Sequence, residues 1–138
     1  MLLHTKPLLA LDQMKKVFHS IYPSIMWTGI IFWLLTLDAS SSGSFSFLKL
    51  IPHYDKYIHF GIFSVFSIFW GYYISYQKKG ITINAALLIL LSGSAYGMGM
   101  EFYQLYFTNR SFSWWDGIAD AIGAALGLIW VIKKPLWK

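Results

Sequence analysis

The chain has 138 residues, room for one domain, and 57% of them are apolar while only 12% are charged, about half the charged share of an ordinary soluble domain. Its net charge of +5 comes largely from lysines grouped at the ends of apolar runs, not from a basic patch or stripe, so it points to membrane orientation and away from nucleic acid as a partner. With no cysteine, a disulfide framework and thiolate chemistry are excluded.

From the N-terminus, MLLHTKPLLALDQMKKVFHS offers only PLLAL as an apolar core, and Lys15 and Lys16 follow that core instead of preceding it. This is a poor signal peptide. Residues 1–20 are expected to stay as a cytoplasmic or interfacial segment. Four apolar runs come next: 21–37, with Pro23 near its first turn; 56–76; 81–100, continuing with interruptions to 107; and 114–132. Each approaches the ~20 residues that a hydrocarbon core of about 30 Å requires. Helix is the expected form, because a helix satisfies its own backbone polar groups in lipid. The SSSGS run at 40–44 reads as an exposed loop between the first two spans.

Lys6, Lys15, Lys16, Lys78, Lys79, Lys133, Lys134 and Lys138 fall on one side of such a topology, and only Lys49, Lys56 and Arg110 on the other. The positive-inside rule then places both termini in the cytoplasm. The expected fold is all-α: an integral membrane four-helix bundle over 21–132, followed by a basic cytoplasmic tail at 133–138. Membrane lipids are its first partners.

Three of the six acidic residues lie between Glu101 and Asp120, inside apolar sequence. An ionised carboxylate at a helix centre costs about 2.5–3.5 kcal/mol on insertion scales, and less near the interface, so these groups should face the bundle interior near its outer end. Helical spacing sorts them. Asp55 and His59 are four apart, as are Asp116 and Asp120, while Glu101 and Gln104 are three apart; each pair shares a face. Gly93 and Gly97 continue the Glu101 face, and Gly123 and Gly127 continue the Asp120 face. Spans three and four are therefore expected to meet through glycine seams, with Arg110 as counter-charge to Glu101, Asp116 and Asp120. Asp55, Lys56, Glu101, Arg110, Asp116 and Asp120 together carry four negative charges against two positive. The group is net negative, holds a proton, or awaits a cation.

Structural roles compete for the same residues. Asp55 fits an N-cap, and Ser113 with Asp116 fits a capping box. His59, Glu101, Asp120 and Arg110 also fit buried ion pairs or interface anchors. Familiar catalytic motifs (HExxH, GxSxG, a phosphate-binding P-loop) are absent from the sequence. His59 with Glu101 and Asp116 makes only a weak zinc pattern. No metal and no cofactor are expected.

Two segments, DKYIHFGIFSVF from Asp55 and EFYQLYFTNRSFSWWDGIADAIGAALG from Glu101, resemble the VanZ-like membrane protein family. That family shows Asp-Lys-x-x-His-Phe at a helix start, then Glu-x-x-Gln, an Arg-Ser-Phe loop and Asp-x-x-Ala-Asn before a Gly-rich helix. The resemblance carries its polar signature onto Asp55, Lys56, His59, Glu101, Gln104, Arg110, Ser111, Asp116 and Asp120, the last departing from the family's usual Asn. It implies a bacterial cytoplasmic-membrane protein, in a family named for a member linked to teicoplanin resistance and without a defined reaction. The expectation is an outward-facing polar pocket for a lipid-linked cell-wall precursor or glycopeptide-related ligand, with Arg110, Lys56 and Ser111 as donors. The alternatives are an intramembrane enzyme acting on polyprenyl-phosphate-linked sugars by carboxylate acid/base chemistry, a small proton-coupled carrier, and charges that only lock the helices together.

Overall fold

Where the sequence offers an uninterrupted apolar run, the backbone of the computed structural model coils into helix. The structure describes residues 17, 19–37, 52–108 and 110–134. The expected loop at 40–44, most of the 1–20 segment, residues 135–138 of the tail, Asp12, Asp38 and Lys49 lie outside the described residues. Among the described residues there are four helices and no strand: α1 (Tyr22–Thr36), α2 (Tyr54–Lys78), α3 (Ile83–Phe107) and α4 (Trp114–Lys133).

The helix ends follow local chemistry. Pro23 sits in the first turn of α1, where its missing N–H is not needed. Thr82 Oγ1 accepts the Ala85 N–H to open α3, and Ser113 Oγ accepts the Asp116 N–H to open α4, both at 3.3 Å. Four residues, 79–82, join α2 to α3, and six, 108–113, join α3 to α4; connections this short make neighbours antiparallel. Three helices, α2, α3 and α4, are long and apolar enough to cross a membrane, and the chain is a membrane protein. α1 falls short of the expected full span. Its 15 residues rise about 22 Å at 1.5 Å per residue, because the chain is already extended at Leu37.

The polarity of the packing is inverted relative to a water-soluble bundle. The outward side chains of α4 include Trp114, Trp115, Ile118, Ile122, Leu126, Ile129 and Trp130, whereas its buried stripe runs Asp116, Asp120, Gly123, Ala124, Gly127, Leu128 and Val131. That stripe keeps the three- and four-residue steps of one helix face. A polar interior behind an apolar exterior is what lipid, not water, selects.

α2 and α4 form the most extensive helix pair. A side chain at Gly123 or Gly127 would strike the carbonyl oxygens of Phe60 and Ser64 on α2, and Gly71 of α2 stands against Val131. The expected seam between spans three and four thus holds for the glycines of α3 and is corrected for those of α4. The glycines of α4 meet α2, while on α3 Gly93 faces Phe66 and Ala124, and Gly97 faces the Asp120 carboxylate. Sequence spacing locates a small-residue face but not the helix that occupies it.

α1 is tied to its neighbours by hydrogen bonds as well as by the apolar packing of Ile31 and Leu35. Gln104 Nε2 donates to Leu35 O at 2.8 Å, Tyr96 Oη to Thr28 O at 2.9 Å, and Trp27 Nε1 reaches Ile62 O of α2 at 2.9 Å. Ile31, Leu35, Phe63, Phe66, Ile89, Met100 and Leu128 fill the core between them. The contact of Gln104 with Leu35, and the stacking of His19 on Tyr76, fix the direction of α1. The first and last described residues therefore share one end of the bundle with Lys78, Lys79, Lys133 and Lys134. Asp55, Glu101, Arg110 and Asp116 gather at the other.

Candidate functional site

At the acidic end, three helices and one loop bring their ionisable groups together. His59, one turn into α2 from Asp55, points inward to α4, where its Nδ1 lies 2.9 Å from Asp120 Oδ1. Both residues are fully buried, as is Glu101 of α3, whose Oε1 stands 3.8 Å from His59 Nε2. That separation is too long for a hydrogen bond. His59 Nε2, Glu101 Oε1 and Asp120 Oδ2 are buried without a hydrogen-bond partner. Unpaired groups of this kind cost about 1–3 kcal/mol each, more when charged.

Glu101 does have one firm partner. Its Oε2 accepts the Ser113 backbone N–H at 2.8 Å. In a complete capping box that N–H belongs to the acid three residues on, here Asp116. Ser113 still caps Asp116 through its hydroxyl, but Glu101 has taken the reciprocal half, and the Asp116 carboxylate is released to the niche. There it accepts from Lys56 Nζ at 3.1 Å.

Arg110, in the α3–α4 connection, sends Nη2 to both oxygens of Asp55 at 2.6 Å. This corrects two expectations. Asp55 is not the N-cap of α2, a position held by His53 in left-handed backbone, and the described ion pairs join Arg110 to Asp55 instead of to Glu101, Asp116 or Asp120. The helix phase placed Asp55 at the rim of the niche, nearest the loop that carries Arg110. Deeper in, Asp116 pairs with Lys56 and Asp120 with the His59 imidazole, both from α2, while Glu101 takes the Ser113 N–H.

Of the nine residues singled out in the sequence, Asp55, Lys56, His59, Glu101, Arg110, Asp116 and Asp120 converge. Ser111 is exposed in the connecting loop. Gln104 is buried but turned to α1, tying α3 to Leu35 O. What sequence spacing missed was the Ser113 N–H, whose only signal was its place in a capping box, and the use of Gly97 as the recess for Asp120. The rim is graded: the Lys56 side chain is 36% exposed, Arg110 19% and Asp116 5%. Around it stand the outward rings of Tyr57, Tyr106, Trp114 and Trp115, residue types that favour the membrane interface. One imidazole nitrogen of His59 and one oxygen each from Asp55 and Asp116 lie within 4.8 Å of one another. The structure thus puts Asp55 where the weak metal pattern in the sequence had Glu101.

The sequence model of the VanZ/LLP1 family matches residues 13–134, which include all four helices and every residue of this niche. The chain belongs to the VanZ/LLP1 family. A relative of this VanZ/LLP1 member, the uncharacterized protein C11E3.10 of Schizosaccharomyces pombe (strain 972), is 30% identical over 79 residues, covering 57% of this chain and 47% of the relative. The chain therefore matches only about half of that protein's length. No solved structure matches the chain.

Proposed function

We propose that this VanZ/LLP1 member binds the phosphate or carboxylate group of a lipid-linked ligand in the niche at the acidic end of its bundle. One arrangement carries the reading. Lys56 and Arg110 stand partly exposed at the rim, above a floor of His59, Glu101 and Asp120 that is fully buried and incompletely hydrogen-bonded. A guanidinium holding Asp55 still has donors for a second anion. A floor with unpaired polar atoms is costly in an apolar surround and contributes little as mere helix glue. Inward-facing ionisable groups in membrane spans often mark ligand or ion sites.

In this reading the lysine-rich end faces the cytoplasm, by the positive-inside bias, and the niche opens on the opposite face. In a bacterial cytoplasmic membrane that face meets lipid-linked wall precursors and lipoglycopeptides such as teicoplanin, so expression of the protein is expected to lower lipoglycopeptide sensitivity. Purified protein in nanodiscs should bind polyprenyl phosphate saturably, and Arg110→Ala and Lys56→Ala should each weaken that binding tenfold or more. Unchanged affinity in both variants, with folding intact, would end the proposal.

A second reading, an intramembrane hydrolase, draws on the His59–Asp120 pair beside Glu101. A carboxylate orienting an imidazole is a recurrent acid/base device. Turnover of polyprenyl-diphosphate sugar that disappears in Glu101→Gln separates this reading from simple binding, which yields no product.

A further inference from the structure

The niche holds four carboxylates, those of Asp55, Glu101, Asp116 and Asp120, against two fixed cations, Lys56 and Arg110. With His59 neutral and all four carboxylates ionised, two negative charges at membrane depth lack compensation. We propose that Asp55, His59 and Asp116 form a binding site for one divalent transition-metal cation, which supplies that charge.

Three observations meet in this site. One ligand atom from each residue lies within 4.8 Å of the others. Metal–ligand bonds of about 2.1 Å hold ligand atoms roughly 3–4.2 Å apart, so a small contraction closes the set. His59 is fully buried and its Nε2 has no hydrogen-bond partner, while Nδ1 is engaged by Asp120. The proposed site uses Nε2 as its ligand atom, since a carboxylate on one ring nitrogen leaves the other free to ligate and fixes the ring, the usual outer-shell arrangement of a metal-bound histidine. One imidazole with two carboxylates suits Mn2+, Fe2+ or Zn2+ better than Ca2+ or Mg2+, which favour oxygen alone.

The ion also changes what the rim can do. Asp55 now gives both oxygens to Arg110, and Asp116 gives Oδ1 to Lys56. A metal drawing on the same carboxylates loosens both cations, which then face outward beside it. Three positive centres for one anion follow, and this second half rests on the ligand reading proposed above. Linkage makes the effect reciprocal: the metal tightens phosphate, and phosphate tightens the metal.

The test is Mn2+ binding to the full chain after chelator stripping, followed by electron paramagnetic resonance in nanodiscs. One Mn2+ per chain is expected, with affinity reduced at least tenfold in His59→Gln and in Asp116→Asn. Asp55→Asn, at the partly exposed rim, keeps the test open should the buried variants fail to fold; circular dichroism and gel filtration report folding. No saturable Mn2+ binding, or unchanged affinity in folded Asp55→Asn, overturns the metal site. Polyprenyl phosphate affinity measured with and without Mn2+ separates the two proposals. A fivefold or greater tightening supports both, phosphate binding without Mn2+ binding overturns this one alone, and Mn2+ binding without phosphate binding supports the metal site while removing the ligand reading.

Discussion

The two ends of the bundle handle charge in opposite ways. At one end Lys78, Lys79, Lys133 and Lys134 are exposed and lie among no described acid; at the other, Asp55, Lys56, His59, Glu101, Arg110, Asp116 and Asp120 are buried or half-buried and joined by described ion pairs or backbone bonds. Water and headgroups solvate the first set, so its geometry is loose and its sign alone matters. Lipid offers the second set nothing, so each charge needs a partner placed by another helix. In the proposed reading the lysine end sets how the chain sits in a membrane, by the positive-inside bias, and the acidic end is where it binds.

The sharpest way to break this contrast is at His59. Its replacement by Leu leaves the Asp120 carboxylate buried without its partner, and removing one member of a buried pair costs about 3–5 kcal/mol; thermal unfolding followed by tryptophan fluorescence should report that loss. Gly123→Val tests the packing that positions both residues. Its Cβ meets the Phe60 carbonyl of α2, and overpacking of this kind costs about 1–3 kcal/mol, visible as a fall in Tm and early aggregation on gel filtration. Ser113→Ala removes one cap while leaving the Ser113–Glu101 backbone bond in place, an expected loss of about 1 kcal/mol read by the same melt. Lys56→Ala should cost about 1 kcal/mol or less, since its ammonium is partly solvated. At the other end, Lys133→Ala combined with Lys134→Ala should leave Tm unchanged. Its readout is orientation instead: cysteine labelling at position 110 from each side of the membrane should become mixed if those lysines set the topology.

Much of this was legible from residue order, and what was not has a common physical cause. The helix positions followed from apolar length, with Pro23 and Ser113 marking two of the starts, and spacing put Asp55 with His59, and Asp116 with Asp120, on inward faces. Periodicity, however, fixes a residue's direction around its own helix axis and says nothing about the neighbour in that direction. Hence Arg110 pairs with Asp55, the glycines of α4 meet α2, and Gln104 serves α1 although it lies one turn from Glu101. Backbone donors leave still less trace. The Ser113 N–H that holds Glu101 has no side-chain signature, because every residue but proline carries one.

Gly97 has no functional group, yet the geometry of the niche passes through it. Any larger residue there would evict the Asp120 carboxylate, and with it the hold on Nδ1 that sets the plane of the His59 ring. A mutational survey restricted to acids, bases and histidine would pass over this position. Gly97→Ala is in effect a remote adjustment of an imidazole two helices away, made without altering a single charge.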